Sequence, residues 1–281
     1  MLFKRVLVAL VLLPIGIAAI NAGGAWFTAI IVLLLGLAAF EYVQLFRTGG
    51  MQPAGFFVVA GVVLLALARH TAGFDHDFWL LPLLVLSAMA VHLVAYERGR
   101  DQAATDFAIT LGGIFYIGLL GSYFIALRKL PDGQWWLLAT LPAVWLADSG
   151  AYFIGSSFGR HKLSPRLSPN KSWEGYLGGL LLAIVGTPAL VTLYWKLGLS
   201  STSLLTLEHA ALLGAAMGIL PTLGDLGESM IKRQMGVKDS GNLLPGHGGI
   251  FDRIDSWLWA APLGYLIIRL IINIHLSQLG L

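Results

Sequence analysis

The segment 225–255 concentrates charged side chains between two apolar segments that are each long enough to span a bilayer. It holds five carboxylates, four Lys or Arg side chains and a run of glycines. Unpaired charges of this density are costly to bury in hydrocarbon, so a charged segment between membrane spans needs polar partners. The segment is therefore predicted to bind a polar ligand, and the other segments are predicted to house it.

The acids of this segment are suited to a hard cation. A helix that continues past Thr222 brings four polar side chains onto one face: Asp225, Glu228, Ser229 and Lys232. Asp252 opens the next span, and two antiparallel helices can present Asp225 and Asp252 to a shared volume. Magnesium typically bridges one or two protein carboxylates to substrate phosphates. We expect a magnesium site here, with a salt bridge to a nearby Lys or Arg as the alternative for any single acid.

The glycines of the same segment are suited to an anion. Gly248 and Gly249 allow backbone N–H groups to approach a phosphate closely. His247 either donates to an oxyanion or merely holds the loop, and its residue type favours neither. Basic residues interleaved with carboxylates suit a nucleoside triphosphate that arrives as its magnesium complex. Asp239 beside Lys238 is more simply explained by a salt bridge.

A second polar region, residues 155–179, is strongly basic. Four Lys or Arg side chains precede Glu174, its first carboxylate, and several serines offer short donors. Gly and Pro residues prevent a regular helix, so the region is expected to form a loop that cradles an anion. The alternative is an ordinary basic loop on the cytoplasmic side of a membrane protein. Ser172 fits the cap of a helix whose N-terminus would be aimed at bound phosphate.

Asp148 is the third unusual feature, because it lies inside an apolar span. It precedes the first loop glycine by about eight residues, which places it roughly 12 Å inside the helix. An ionisable group at that depth is by default a functional candidate. The alternative is a structural ion pair or hydrogen bond within the helix bundle.

The composition indicates what must position these residues. Of 281 residues, 57% are hydrophobic and only 12% are charged, and the mean hydropathy is +0.78. These values are typical of a polytopic membrane protein rather than of a soluble domain. Cysteine is absent, which excludes disulfides, a thiolate nucleophile and a Cys-ligated metal. Any metal must use oxygen or imidazole ligands.

The predicted fold is an all-α, polytopic membrane bundle of about nine transmembrane helices. The first span follows Lys4 and Arg5 and also fits a cleavable signal peptide, but the short connection to the second span favours a retained helix. The predicted spans lie near residues 6–21, 25–46, 54–69, 78–96, 107–127, 134–154, 173–195, 205–224 and 254–275.

The distribution of Lys and Arg predicts the orientation. Thirteen fall in loops on the side of the N-terminus and four or five on the other side, so the N-terminus and both charged loops are expected in the cytoplasm. Residues 1–281 are predicted to form a single membrane domain. Residues 1–130 are assigned to packing and lipid contact, although Glu41 and His92 are polar, and catalysis is assigned to residues 134–275 with loops 155–172 and 225–253. Asp75, His76 and Asp77 resemble a metal cluster but are interpreted as solvated turn residues.

The run SMIKRQMGVKDSGNLLPGHGGIFDRID, residues 229–255, resembles the signature of the phosphatidate cytidylyltransferases. The runs ADSGAYFIG and LSPNKSWEGYLGG also resemble motifs of that family, and the nine-span hydropathy is similar to that of its bacterial members. Asn170 is a departure, since many members carry a basic residue there. The resemblance implies transfer of a cytidylyl group from CTP to phosphatidic acid, giving CDP-diacylglycerol and pyrophosphate with a divalent cation.

With this reaction in view, each charged residue is given an expected role. Asp225 and Asp252 are expected to bind Mg²⁺, with Asp148 as a third ligand or an outer group, and a second cation is left open. The residues expected to be catalytic are Asp148, Lys171, Lys232, Arg233 and Asp252. The residues expected to contact substrate are Lys162, Ser168, Lys171, Ser172, Glu174, Ser229, His247, Gly248, Gly249 and Arg253.

The expected partners are CTP, phosphatidic acid and the lipid bilayer, with no nucleic acid, and a homodimer is plausible for the family. The expected location is the cytoplasmic (inner) membrane of a bacterium, with the active site facing the cytoplasm. A transporter is the competing class, in which Asp148 and Asp225 line a pathway. A CTP-dependent polyprenol kinase is the competing enzyme.

Overall fold

The computed structural model describes residues 13–199, 204–241, 243 and 248–278. The described chain is almost entirely helical, apart from one two-stranded hairpin. Eight of its helical segments are long and apolar enough to cross a membrane. The protein is therefore a multi-pass membrane protein with an all-α fold, as the hydropathy predicts.

The described helices have the following bounds in chain order: α1 Leu13–Ala22, α2 Gly24–Thr48, α3 Gly55–Ala72, α4 Asp77–Glu97, α5 Ala103–Gly113, α6 Leu120–Lys129, α7 Gly133–Phe158, α8 Trp173–Lys196, α9 Leu207–Ile219, α10 Thr222–Gln234 and α11 Phe251–Gln278. A π-helix, Ile114–Leu119, joins α5 to α6. Strands β1, Lys162–Ser164, and β2, Ser168–Ser172, pair antiparallel between α7 and α8, with Lys162 opposite Ser172.

The predicted spans coincide with helices wherever the structure describes them. The first predicted span lies partly outside the described residues, because α1 is described only from Leu13. The eighth continues well past its predicted end, because α10 resumes at Thr222 after a break at Pro221. Proline has no backbone N–H to donate, which accounts for the break at this point. The continuation places Asp225 and Ser229 on one helical face, as the spacing predicts.

The chain divides into two compact units. The first unit consists of Met1–Ala126 and Ile231–Ile254, and the second consists of Leu127–Met230 and Asp255–Leu281. The end of α10, the α10–α11 loop (residues 235–250) and the first turn of α11 therefore belong with the N-terminal helices. Whether the chain acts as the predicted single domain stays a prediction, and each unit is described by itself below.

The first unit packs around apolar side chains of α3, α4 and the π-helix. Its buried cluster consists of Leu65, Ala68, Leu80, Leu84 and Ile114. Arg69 is fully buried in this unit, but its charge is satisfied. Its guanidinium donates to Asp77 at 2.9 Å, to the Gly73 carbonyl at 2.8 Å and to Ser122 at 3.2 Å. The interpretation of Asp77 as a solvated turn residue is therefore wrong, because Asp77 opens α4 and pairs with a buried arginine. A buried charge with this many partners stabilises one arrangement of the helix ends.

The second unit packs α7 against α8, α9 and α11. Its buried cluster consists of Ala143, Val144, Met217 and Ala260. Tyr194 of α8 donates to the Leu138 carbonyl of α7 at 3.1 Å, and the rings of Trp145 and Trp257 lie 5.4 Å apart. These contacts fix α7, which carries Asp148, against its neighbours.

Candidate active site

Asp252 is held in a nearly closed cradle of donors within the first unit. Its side chain is only 5% exposed. Oδ2 accepts the backbone N–H groups of Ser240 at 2.9 Å and Gly249 at 2.8 Å, and the Ser240 hydroxyl at 2.9 Å. Oδ1 accepts Lys232 Nζ at 2.6 Å. The carboxylate is therefore fixed in position by four donors, one of them charged.

Two glycines make this cradle possible. Gly248 has φ +78°, and a Cβ there would lie 2.6 Å from Asp252 Oδ2. A Cβ on Gly249 would lie 2.3 Å from the Ser240 hydroxyl. Only glycine combines that backbone conformation with so close an approach. Asp252 also lies in the first turn of α11, where the helix dipole stabilises a negative charge.

The other predicted residues near Asp252 differ in their surroundings. Lys232 is only 12% exposed, whereas Arg233 and Arg253 are exposed at the surface. The Gly249 N–H group, which was expected to approach phosphate, donates to Asp252. His247 lies outside the described residues, so its two alternatives both stand.

Asp225 forms a second pair of carboxylate and lysine, in the second unit. Its Oδ2 accepts Lys171 Nζ at 2.6 Å, and its Oδ1 accepts the Ser229 hydroxyl at 3.3 Å. The Asp225 side chain is 34% exposed and the Lys171 side chain is 27% exposed. This pair joins the N-terminal part of α10 to strand β2. It is open to solvent or ligand, in contrast to Asp252.

The Asp225 pair lies at a cavity of about 600 Å³ within the second unit. Five of the predicted site residues line this cavity: Asp148, Ser168, Lys171, Ser172 and Asp225. The wall also includes Ser156 and Asn170 of the basic region, and Tyr152 and Tyr176, which the sequence did not suggest. The structure thus brings Asp148 of α7, the β1–β2 hairpin of the basic region and Asp225 of α10 to one cavity. Whether Asp148 acts on a ligand or stabilises the helices stays open.

The cavity wall depends on a close crossing of α7 and α8. A Cβ on Gly175 would lie 2.7 Å from the Ala151 carbonyl oxygen, and one on Gly179 would lie 2.3 Å from the Ala147 carbonyl oxygen. Small residues at a helix crossing allow this approach of two backbones. Asp148, the residue after Ala147, lines the same cavity as Gly175 and Gly179 of α8.

The basic hairpin is held to the start of α8 by Glu174. Its carboxylate accepts the backbone N–H groups of Arg160 at 3.1 Å and His161 at 3.2 Å, and it also pairs with the His161 ring. Ser172 caps α8 by accepting the Gly175 N–H at 3.2 Å, which confirms the cap that the sequence predicts. Lys162 is exposed and, like Glu174, does not line the cavity. Substrate contact by these two residues stays a prediction.

The carboxylates fit a hard cation in their chemistry. Among the described residues no group of three or more Asp, Glu or His side chains could hold an ion by itself. Magnesium commonly takes one or two protein carboxylates and completes its shell with water and substrate phosphates, so this donor set is compatible with it. Asp225 accepts two described hydrogen bonds and so keeps lone pairs for a cation, whereas Asp252 already accepts four and would bind one only by exchanging a donor such as Lys232. Because Asp225 and Asp252 belong to different units, their convergence on one ion stays a prediction.

The sequence predicts a packing role for one polar residue that contacts the Asp252 cradle. Glu41 of α2 is buried, and its carboxylate accepts the Ser240 hydroxyl and the Phe251 N–H. The signal that could have found it is the one that identified Asp148, an ionisable residue inside an apolar span.

Known proteins resemble this chain over nearly its whole length. The model of the cytidylyltransferase family matches residues 3–271. A phosphatidate cytidylyltransferase of Pseudomonas aeruginosa is 38% identical over 93% of this chain and 95% of its own length. A protein with the same name from Synechocystis is 34% identical over 96% of this chain and 98% of its own length. One from Bacillus subtilis is 32% identical over 95% of this chain and 97% of its own length. The chain therefore belongs to the cytidylyltransferase family.

Proposed function

We propose that this protein transfers a cytidylyl group from CTP to phosphatidic acid, forming CDP-diacylglycerol and pyrophosphate. The observation that carries the proposal is that both acids assigned to the cation, Asp225 and Asp252, lie 2.6 Å from a lysine ammonium in a membrane-spanning chain. Carboxylates that can hold a cation, each beside a lysine ammonium, are what a reaction between two polyanions needs. The names of the relatives supply the identity of the nucleotide and of the lipid.

In the reaction, a phosphate oxygen of phosphatidic acid attacks the α-phosphorus of CTP. The bond from that phosphorus to the bridging oxygen breaks, and pyrophosphate leaves with the electron pair. The nucleophile is ionised at neutral pH, so no protein base has to remove a proton. This agrees with a chain that has no cysteine. The remaining barrier is largely the repulsion between the two anions and the need to align them.

Each charged residue has its own proposed role in neutralising the two substrates. Asp225 and Asp252 would hold Mg²⁺, with Asp148 as a third ligand or an outer group, and the number of cations is left open. When bound, the ion would neutralise phosphate oxygens and stabilise the negative charge that develops on pyrophosphate. Lys171 and Lys232 each carry a flexible ammonium group that can turn from a carboxylate toward a phosphate. Arg233, which is exposed, would contact the triphosphate from the surface.

The proposal includes a location and an assembly. The bias of Lys and Arg favours a reaction site that faces the cytoplasm, in the inner membrane of a bacterium. There CTP can enter from water and phosphatidic acid from the lipid. A homodimer is proposed from the family resemblance alone, and neither substrate requires a nucleic acid partner.

The direct test uses purified protein in lipid nanodiscs with CTP labelled at the α-phosphate. With phosphatidic acid and Mg²⁺ we expect a labelled lipid that contains cytidine, and its formation should stop when EDTA removes the metal. Supplying CDP-diacylglycerol and pyrophosphate should regenerate CTP, because one phosphoanhydride replaces another.

A parallel reaction with a polyprenol and CTP labelled at the γ-phosphate tests the kinase alternative. Transfer of label to the polyprenol, without any cytidylyl lipid from phosphatidic acid, would contradict the proposal. The absence of a covalent product from either acceptor would favour a transporter instead.

A further inference from the structure

Glu41 lies in α2, far from the charged segment in sequence, and is only 3% exposed. A buried carboxylate in an apolar helix is costly unless it is hydrogen-bonded. Within the described part of the chain, Oε1 is buried and has no hydrogen-bond partner. The free energy needed to bury this carboxylate indicates that Glu41 has a role beyond packing.

The other oxygen of Glu41 binds the α10–α11 loop and the first residue of α11. Oε2 accepts the Phe251 backbone N–H at 2.8 Å and the Ser240 hydroxyl at 3.2 Å. Phe251 opens α11, so its N–H is one of those that the helix itself cannot satisfy. Glu41 therefore supplies, from a distant helix, an acceptor for the first N–H of the helix that carries Asp252.

Ser240 connects Glu41 to Asp252. Its hydroxyl oxygen lies 3.2 Å from Glu41 Oε2 and 2.9 Å from Asp252 Oδ2. A hydroxyl has one proton and can donate it to only one of these oxygens at a time. The serine is thus shared by two carboxylates, and the position of each depends on the other through it.

The loop backbone packs directly onto the Glu41 carboxylate. A Cβ on Gly241 would lie 2.6 Å from Oε1, and one on Gly249 would lie 2.3 Å from Oε2. Phe251 is fully buried, and its ring lies edge-on to Tyr42, the neighbour of Glu41, at 6.0 Å. Both flanks of the loop are therefore fitted to this one side chain.

From these contacts we propose that Glu41 is a positioning residue for the Asp252 cradle. It fixes the start of α11 and orients Ser240, and through Ser240 and the Gly249 backbone it sets the direction of the Asp252 carboxylate. Glu41 acts on Asp252 and need not touch substrate. The catalytic consequence rests on the proposed function, whereas the positioning itself does not.

Amide hydrogen exchange without CTP or metal tests the positioning. In Glu41→Ala, exchange at Ser240, Gly249, Phe251 and Asp252 should rise by about tenfold or more, as for loss of a hydrogen bond to a charged group. Glu41→Gln keeps the volume and one acceptor oxygen, so a smaller rise is expected. If Glu41→Ala does not fold, the Gln variant and Ser240→Ala decide the question, because each removes one part of the same connection.

Asp77→Asn is the matched control, because Asp77 is another acid of the first unit, paired with Arg69 instead of with the loop. It should raise exchange around α3 and α4 and leave the four loop amides unchanged. Unchanged exchange at the loop amides in the Glu41 variants, or an equal rise throughout the first unit, would overturn the proposal.

A kinetic measurement extends the test to the reaction. Glu41→Gln should lower kcat by about tenfold and leave the KM for phosphatidic acid unchanged, because the lipid is not bound by this side chain. A rise in KM with kcat unchanged would contradict a positioning role. If the wild-type protein forms no CDP-diacylglycerol, the proposed function fails, but the exchange experiment still decides whether Glu41 positions the loop.

Discussion

The two carboxylate–lysine pairs have the same length and very different surroundings. The Asp252 carboxylate of the first unit is nearly enclosed and receives three donors from the α10–α11 loop besides Lys232. The Asp225 carboxylate of the second unit is a third exposed and receives only Lys171 and Ser229 among its described hydrogen bonds. The first arrangement preorganises a carboxylate, whereas the second leaves it able to respond to a ligand. Asp252 is thus the more constrained acid, held within the first unit, and Asp225 is the more accessible acid, held within the second.

The largest expected effect follows from breaking the enclosed pair. Asp252→Asn keeps the shape but places an NH₂ group against either the Lys232 ammonium or the loop N–H groups, so donors face donors in both orientations. Turnover should fall by about 100-fold or more, the order found when a preorganised electrostatic group is removed. Cytidylyl transfer to lipid measures it.

Asp75→Asn is the control for this prediction, because it makes the same chemical change at an exposed residue of the same unit. Its activity should be normal. Near-normal turnover in Asp252→Asn would remove Asp252 from the proposed chemistry.

A smaller loss is expected at the open pair. In Asp225→Asn, solvent can take over part of the role of an exposed carboxylate, so turnover should fall by about tenfold. The Mg²⁺ concentration for half-maximal rate should rise. A loss equal to that of Asp252→Asn would show that exposure does not distinguish the two acids.

The sequence predicts this comparison only in part, because spacing along a helix is local information. It places Asp225 and Ser229 on one face and identifies the Ser172 cap, and both features are found. It also identifies the apolar spans. It does not pair Lys171 with Asp225, and it assigns Glu41 to packing. These contacts join residues 54 and 210 positions apart, so they depend on helix packing that hydrophobic periodicity does not specify.

The lysine of the open pair should contribute mainly to substrate binding. Lys171→Ala removes a charged contact that is worth about tenfold or more in affinity, so the KM for one of the two anionic substrates should rise while kcat changes little. Lys171→Arg restores the charge but not the shape of the ammonium, so recovery should be partial. Unchanged kinetics in Lys171→Ala would favour the alternative that the basic region is an ordinary cytoplasmic loop without a role in substrate binding.

The smallest expected effect concerns the wall of the cavity. Gly179→Ala forces α7 and α8 apart, because the new methyl group meets the Ala147 carbonyl oxygen. Such overpacking costs about 1–3 kcal/mol, so Tm should fall by several degrees, with a modest loss of activity. Gly36→Ala is the control, because its methyl group would meet only Val63 at 3.8 Å. Equal Tm values for the two variants would contradict the tight crossing.

If Asp252 and Asp225 both hold the catalytic cation, as proposed, the preorganised Asp252 carboxylate should contribute more to the cation affinity than the open Asp225 carboxylate. An electron paramagnetic resonance titration with Mn²⁺, which accepts the same oxygen ligands as Mg²⁺, tests it without turnover. The Mn²⁺ affinity should fall by about tenfold or more in Asp252→Asn and by less in Asp225→Asn, relative to the wild-type protein and Asp75→Asn. Equal Mn²⁺ affinity in Asp252→Asn and the wild-type protein would contradict the claim.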